Sequence, residues 1–185
     1  KRYLPALENL ILTDYLEFRW YVNGEIRQVA QAGRLIGDKV KPDPDGMAET
    51  EKMLREFAAH QPQTIRRPKE LATRMANLAH MVRDIIVNAF EQDQASAMLQ
   101  DWRKAFAQTL ILDLERPERT GEFADMFAQT IAYGLFSARV LDPTPDTFSR
   151  PEAQSLIPKS NPFLHNFFYQ ITGPALDDEP FAPFV

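Results

Sequence analysis

One stretch decides the fold class: Glu122-Phe-Ala-Asp-Met-Phe-Ala-Gln-Thr-Ile-Ala-Tyr-Gly-Leu-Phe-Ser-Ala-Arg139. Its aromatic and aliphatic residues recur at helical spacing, and nothing in it forms a nucleophilic site, a metal cage or a phosphate cradle. Thr120 suits the N-cap of this helix. Gly134 costs about 1 kcal/mol of helix stability relative to alanine, so we expect a close helix crossing there. The stretch predicts an α-helical scaffold.

Helical spacing also predicts five further helices. The most regular begins near Pro68, where proline suits the first turn, and carries one apolar stripe to Phe90. Near the end of the chain, Asn161 suits an N-cap and Pro162 the first helical position. These helices are predicted over residues 48–60, 68–90, 95–112, 152–157 and 163–171, with a loop from Pro174 onward. In the helix at 95–112, the residues expected to point inward are Leu99, Trp102, Ala105, Phe106 and Leu110.

The first thirty residues have the period of β-strands. Asn23-Gly24 readily supplies the two positive φ angles of a two-residue hairpin, so residues 25–30 should return antiparallel to residues 18–22. With a short strand at 10–13, this hairpin is too small to be stable alone, so either the helices cover it or it is the edge of a larger sheet. Phe18 and Trp20 on one face and Tyr21 on the other predict an exposed aromatic patch that meets neighbouring domains.

Composition suggests where domains begin and end. Two prolines and two glycines within residues 37–47 predict a linker. We therefore divide the chain into a hairpin segment at 1–36 that ends an upstream domain, the linker at 37–47, a helical domain at 48–173, and a loop at 174–185 that leads to a downstream domain. The chain starts at Lys1 without methionine and stops at Val185 after a loop-like run, so we expect it to be a piece of a longer polypeptide.

Overall charge and composition limit the function classes. A formal net charge of -5 argues against binding nucleic acid by bulk electrostatics, although a local basic stripe remains compatible with it. The absence of cysteine excludes disulfides, thiolate metal sites and a cysteine nucleophile. No apolar run approaches the roughly 18 residues that cross a bilayer. We expect a cytoplasmic protein without membrane contact.

No complete catalytic or metal site can be written from the residues. His60, His80 and His165 lie on separate predicted helices without a further ligand at zinc spacing. Asp14 and Glu17 adjoin a strand junction, but no acidic residue is followed two positions later by lysine, as a nuclease site of the Asp plus Glu-x-Lys type requires. We predict that Asp14 ends a strand or caps a turn. The glycines permit neither a dinucleotide-binding loop nor a Walker loop.

The densest small basic cluster precedes the long helix. It consists of Arg66, Arg67 and Lys69. One interpretation is a contact with DNA phosphates; the other is a solvated helix start near the charges of Glu70 and Asp84.

Four segments in order carry a family resemblance. They are Leu12-Thr-Asp-Tyr-Leu-Glu-Phe-Arg-Trp-Tyr21 with Asn23-Gly-Glu25, Arg67-Pro-Lys-Glu-Leu-Ala72, Phe123-Ala-Asp-Met-Phe-Ala-Gln-Thr-Ile-Ala-Tyr-Gly-Leu-Phe136, and Pro158-Lys-Ser-Asn-Pro-Phe163. Together they resemble the connector region upstream of the catalytic domain in large bacterial adenine-specific DNA methyltransferases, the fused restriction-modification proteins of the Type IIG and Type ISP kind. The chain lacks their Asn-Pro-Pro-aromatic motif, because Ser160-Asn-Pro-Phe163 has no second proline, and we interpret that segment as a helix cap.

The resemblance implies a mainly α fold, a helical bundle whose N-terminal antiparallel β-hairpin is the edge of a missing nuclease-like sheet. It implies a non-catalytic connector that supports DNA recognition, in a parent that transfers a methyl group from S-adenosylmethionine to N6 of a flipped adenine in DNA. The cofactor belongs to the parent, and no catalytic or metal-binding residue is carried over to this chain. The implied partners are the nuclease-like and methyltransferase domains of the same polypeptide, and double-stranded DNA through the parent.

Two other functions stay open from the sequence. A free-standing α-helical adaptor that binds protein is slightly favoured by the acidic balance. A restriction-nuclease fragment would need its carboxylates before Lys1.

Overall fold

The computed structural model describes residues 3–61, 65, 67–110, 113–144 and 147–185. The fold is mainly α-helical with a small antiparallel sheet near the N-terminus, which confirms the predicted fold class. The strands are β1 (Asn9–Thr13), β2 (Glu17–Val22), β3 (Glu25–Gln31), β4 (Gly33–Ile36) and β5 (Lys39–Pro42). The helices are α1 (Pro44–Ala58), α2 (Pro68–Glu91), α3 (Ala97–Leu110), α4 (Thr120–Leu141), α5 (Arg150–Leu156) and α6 (Pro162–Ile171). The chain divides into two compact units, Lys1–Asn77 and Leu78–Val185.

The hairpin predicted around Asn23-Gly24 is confirmed. Strands β1, β2 and β3 form one antiparallel sheet in that order, and Phe18 of β2 lies opposite Ala30 of β3. Asn23 and Gly24 have φ angles of 51° and 81°, the pair of positive values that this type of turn requires. Strands β4 and β5 form a separate two-stranded hairpin.

The predicted exposed aromatic patch on this sheet is wrong. Trp20 is 1% exposed and Tyr21 is 9% exposed. Trp20 packs against Met53 of α1, and its indole N–H donates a hydrogen bond to Asn9 Oδ1 at 2.6 Å. Helix α1 covers this face because its apolar side chains lie along one stripe. The large side chains that the sheet and its β1–β2 turn do expose are Leu12, Tyr15, Ile26 and Val29.

Residues 37–47 are not the irregular linker that composition predicts. They contain β5, and α1 begins at Pro44. Asp43 is the N-cap of α1, where its carboxylate accepts a hydrogen bond from the Gly46 N–H at 3.3 Å. Proline at the first helical position and aspartate at the cap are helix-start signals, so the same residues that suggested a break begin a helix.

Edge-to-face aromatic contacts fill the core of the Leu78–Val185 unit. Phe167 of α6 lies 4.8 Å from Trp102 of α3 and 5.1 Å from Phe127 of α4, measured between ring centroids. Phe106 lies 5.1 Å from Phe163. Such contacts add to the free energy of burial because the positive edge of one ring meets the negative face of the next. Three helices are thereby held around one aromatic cluster.

A buried arginine fixes the segment that follows α3. Arg103 is 8% exposed, and its guanidinium donates hydrogen bonds to the carbonyl oxygens of Leu114 at 2.5 Å and Arg116 at 2.6 Å. Its charge also lies 4.9 Å over the ring of Phe90. Burial lowers the pKa of Arg103, while the nearby charge of Glu115 acts in the opposite direction.

Three local predictions in this unit need correction. Leu110 is 42% exposed rather than inward, because it is the last residue of α3. Thr120 is the first residue of α4, and Arg119 occupies the N-cap position. The tail is not only a loop: it contains 3₁₀ turns at Pro174–Leu176 and Ala182–Phe184, and the side chains of Leu176 and Phe181 are fully buried.

Candidate nucleic-acid interface

Two of the three residues of the predicted basic cluster, Arg67 and Lys69, lie at the start of α2. Arg66 falls outside the described residues. Arg67 and Lys69 are exposed, and neither forms an ion pair within the part of the chain that the structure describes. Glu70, which sequence reasoning offered as a partner charge, instead pairs with Arg74 at 3.0 Å. The two described cations are therefore available to solvent.

Arg74 connects the start of α2 to Glu8, the residue that precedes β1. Its guanidinium bonds Glu8 at 2.5 Å as well as Glu70. The hydrogen bonds that the guanidinium donates to these two carboxylates, the one to Glu8 foremost, raise the pKa of Arg74. Asn77, one turn further along α2, donates a hydrogen bond to the Pro5 carbonyl at 2.9 Å. The start of α2 is thus tied to the N-terminal segment of its own unit.

The Ser160-Asn-Pro-Phe163 segment has the structural role that the sequence predicted. Asn161 Oδ1 accepts a hydrogen bond from the Leu164 N–H at 3.1 Å, and Pro162 takes the first position of α6. Phe163 enters the aromatic core, 5.8 Å from Trp102. Because the Asn161 oxygen is engaged as a helix cap, this segment builds the fold.

The carboxylates at the β1–β2 junction are also structural. Asp14 accepts hydrogen bonds from the Glu17 N–H at 2.7 Å and the Leu16 N–H at 3.0 Å, which confirms the predicted turn cap. These two donors, led by Glu17, lower the pKa of Asp14. Glu17 forms its ion pair with Arg19. The described residues contain no group of three or more His, Cys, Asp or Glu side chains placed to hold a metal ion.

The second half of helix α4, from Ile131 to Leu141, is largely apolar on its outer face as well as on its core face. Its core face carries fully buried residues such as Phe123 and Phe127. Its outer face exposes four large side chains, at 42% to 65%: Tyr133, Phe136, Val140 and Leu141. A helix that is hydrophobic all round is ordinarily covered on every side. We call these four residues the outer face of α4.

A hollow of about 540 Å³ adjoins this outer face. Phe168 of α6 forms part of its lining and points at Gly134, where a methyl group would lie within 2.8 Å of three ring carbons. The close neighbour of Gly134 is thus the Phe168 ring, whereas the sequence predicted a close helix crossing. The opposite wall comes from the end of α5 and the following residues, Leu156, Ile157 and Pro158. The hollow is thus a mostly apolar recess with few polar groups, the general character of a site that accepts apolar side chains.

Sequence reasoning missed two surfaces. The outer face of α4 had a signal, since only Ser137 and Arg139 are charged or carry a small polar side chain between Ile131 and Leu141. The β4–β5 hairpin was hidden because its residues were assigned to a linker. Within the described ranges, no helix is both long and apolar enough to span a bilayer. Comparison of the chain with family models, with curated proteins and with solved structures gives no match.

Proposed function

We propose that this chain is a non-catalytic helical connector that supports DNA recognition in an adenine-specific DNA methyltransferase of a restriction-modification system. The parent would transfer the methyl group of S-adenosylmethionine to adenine N6, and the connector would hold its modules in register. The resemblance of four ordered segments supplies the family. The structural observation that carries the connector role is the outer face of α4.

That face supports docking against another domain of the same polypeptide. Its four side chains are large and apolar, and two of them, Tyr133 and Leu141, line the 540 Å³ hollow into which partner side chains could insert. Interfaces between domains are enriched in exposed aromatic side chains of this kind, which bury area at low entropic cost. We assign this face to the methyltransferase domain, which in the family follows the connector.

A matched pair of tyrosine substitutions tests the docking role in the polypeptide of the complete reading frame. Tyr133 on the outer face is 64% exposed and Tyr169 on α6 is 60% exposed, so Tyr133→Ser and Tyr169→Ser make the same chemical change at similar exposure. In the 185-residue chain alone, each should change stability by no more than about 0.5 kcal/mol. In the complete polypeptide, Tyr133→Ser should lower methyl transfer to DNA about 5- to 30-fold, which corresponds to about 1–2 kcal/mol of lost docking energy.

The Tyr169→Ser variant is the control for the docking role of the outer face of α4. Tyr169→Ser should leave methyl transfer unchanged, because this residue does not line the hollow. Equal activity of the two variants would show that the outer face of α4 meets no catalytic module.

The exposed cations at the start of α2 give a separate test of DNA contact. Reversing the charge of Arg66, Arg67 and Lys69 to glutamate should weaken duplex binding and flatten its salt dependence if these residues touch phosphates. Unchanged binding would leave them as the solvated start of a helix.

A further inference from the structure

The β4–β5 hairpin is exposed along its length. Residues 34–42 are all exposed, and its three large aliphatic side chains are 60% to 63% exposed: Leu35, Ile36 and Val40. The base of the hairpin is closed by a hydrogen bond from the Asp43 N–H to the Ala32 carbonyl at 2.9 Å. At Gly33 a methyl group would lie 2.9 Å from the Lys41 carbonyl oxygen. The hairpin is therefore held tightly at its base and open to solvent beyond it.

The register of the hairpin gathers cations on one face. Arg34 pairs with Lys41, and Ile36 pairs with Lys39. Directly opposite residues share a face, and so do residues two apart on one strand. These four side chains consequently lie on one face, which we call the basic face of the hairpin. Leu35 and Val40 lie on the other face.

This placement of charge is unfavourable for the hairpin by itself. Like charges directly opposite one another in an antiparallel pair are destabilising, and Arg34 and Lys41 are so placed. No ion pair to Arg34, Lys39 or Lys41 occurs among the described residues. The nearest described carboxylates in sequence are Asp43, which caps α1, and Asp38 in the turn.

A hollow of about 360 Å³ lies on the basic face. Its lining includes Arg34, Lys41 and Ile36, together with Pro42, Asp43 and Pro44 at the start of α1. Two cations therefore border one recess, and Lys39 continues the row toward the tip. Three positive charges on one face of a hairpin suit a polymer with repeated negative charges better than they suit a single anion.

We propose that the basic face of the β4–β5 hairpin is an arm that contacts the phosphates of duplex DNA through Arg34, Lys39 and Lys41. The proposal rests on the proposed function, because a connector in a DNA methyltransferase lies on a polypeptide that already binds DNA. Exposed cations contribute to DNA affinity by releasing condensed counterions, which needs no base contact. An acidic protein segment is the competing ligand that the same face could take.

A salt titration of the 185-residue chain with a fluorescent 20-base-pair duplex tests the arm. The variant Arg34→Gln/Lys39→Gln/Lys41→Gln removes three charges from the basic face. When log affinity is plotted against log salt concentration, the slope for this variant should be less steep than that of the unaltered chain by about 2.7, since each phosphate contact contributes about 0.9 to the slope. Between 50 and 200 mM salt, the affinity advantage of the unaltered chain should therefore shrink about 40-fold.

Further variants test whether a change in DNA affinity comes from lost phosphate contacts, from the change in net charge or from loss of folding. Lys52→Gln/Lys104→Gln/Lys159→Gln removes three exposed charges elsewhere and should keep the slope of the unaltered chain. Arg34→Lys/Lys39→Arg/Lys41→Arg keeps the charges and should also keep that slope. If the glutamine variant of the hairpin loses its far-UV circular dichroism, the single variant Lys39→Gln, near the exposed tip, should still reduce the slope by about 0.9.

Two outcomes would overturn the arm. One is equal slopes for the hairpin variant and the matched control. The other is a hairpin variant that loses affinity for poly-glutamate while it keeps its affinity for DNA, which would assign the face to an acidic protein segment. Either result leaves the proposed function standing if the complete polypeptide methylates adenine. If the complete polypeptide does not methylate adenine, but the hairpin variant still has a less steep salt dependence than the matched control, the proposed function is rejected and the arm remains a DNA contact.

Discussion

Replacing Gly134 by alanine sets two opposite effects against each other in the middle of α4. Alanine favours the helix over glycine by about 1 kcal/mol. The added methyl group, however, would lie within 2.8 Å of three ring carbons of Phe168, whose side chain is 1% exposed. Overpacking of a well-packed core typically costs about 1–3 kcal/mol, and a Phe168 ring displaced into the adjoining hollow would lose part of its burial. We expect steric conflict to win, with a net destabilisation of about 1–2 kcal/mol.

Gly121 provides the control in the same helix. A methyl group there would meet only the Arg83 guanidinium at 3.6 Å, which is ordinary contact. Gly121→Ala should therefore be neutral or stabilise by up to about 1 kcal/mol. Urea unfolding and thermal unfolding of both variants give the comparison, and Gly134→Ala should lower Tm by about 2–8 °C.

A double-mutant cycle tests whether the stability lost in Gly134→Ala comes from conflict with the Phe168 ring. Phe168→Leu shortens the side chain that occupies the space over Gly134. If the conflict is with Phe168, then Gly134→Ala should cost less in the Phe168→Leu background than in the unaltered chain. The packing of α6 on α4 as described would be refuted if Gly134→Ala stabilised the chain as Gly121→Ala does.

Three other substitutions test the local structure. Arg103→Met should destabilise the chain by about 2–4 kcal/mol, because two backbone carbonyls lose a charged donor, and Arg103→Lys should recover only part of this in urea unfolding. Asn161→Ala should cost about 1 kcal/mol through loss of the α6 cap, and an unchanged unfolding midpoint would contradict the cap. Asp14→Asn tests a depressed pKa: the stabilisation by the native carboxylate should be present at pH 7 and disappear as the pH falls below about 4, since protonation then removes the charge that accepts the backbone hydrogen bonds. A stability difference between Asp14 and its Asn variant that stays constant from pH 7 to pH 3 would contradict this.

Local signals predicted the regular elements well. The stripe that starts at Pro68 and the cap at Asn161 both rest on short-range rules, and both lie where those rules place them. The Asn23-Gly24 turn also follows from local backbone preference alone. Such features depend on residues a few positions apart, which the sequence displays directly.

Tertiary pairings were the part that the sequence did not reveal. The sequence predicts an exposed Trp20 because nothing in its own strand identifies α1 as the element that covers it. Composition predicts a linker at residues 37–47, which contain β5, because proline and glycine mark breaks, turns and helix starts alike. The basic face of the hairpin then became visible only through the register that opposes Arg34 to Lys41. The predicted phosphate contact at Arg67 and Lys69 stays a prediction, since exposure permits such a contact without requiring it.

Methyl transfer by the complete polypeptide is the measurement that most directly tests the proposed function. The polypeptide of the complete reading frame would be incubated with duplex DNA and S-adenosylmethionine carrying a labelled methyl group, and the DNA then digested to nucleosides and separated. The account predicts label in N6-methyladenine, and loss of that label when residues 1–185 are deleted. A longer polypeptide that leaves adenine unlabelled would contradict the account. A reading frame that ends at Val185 would contradict it too, and would favour a free-standing adaptor.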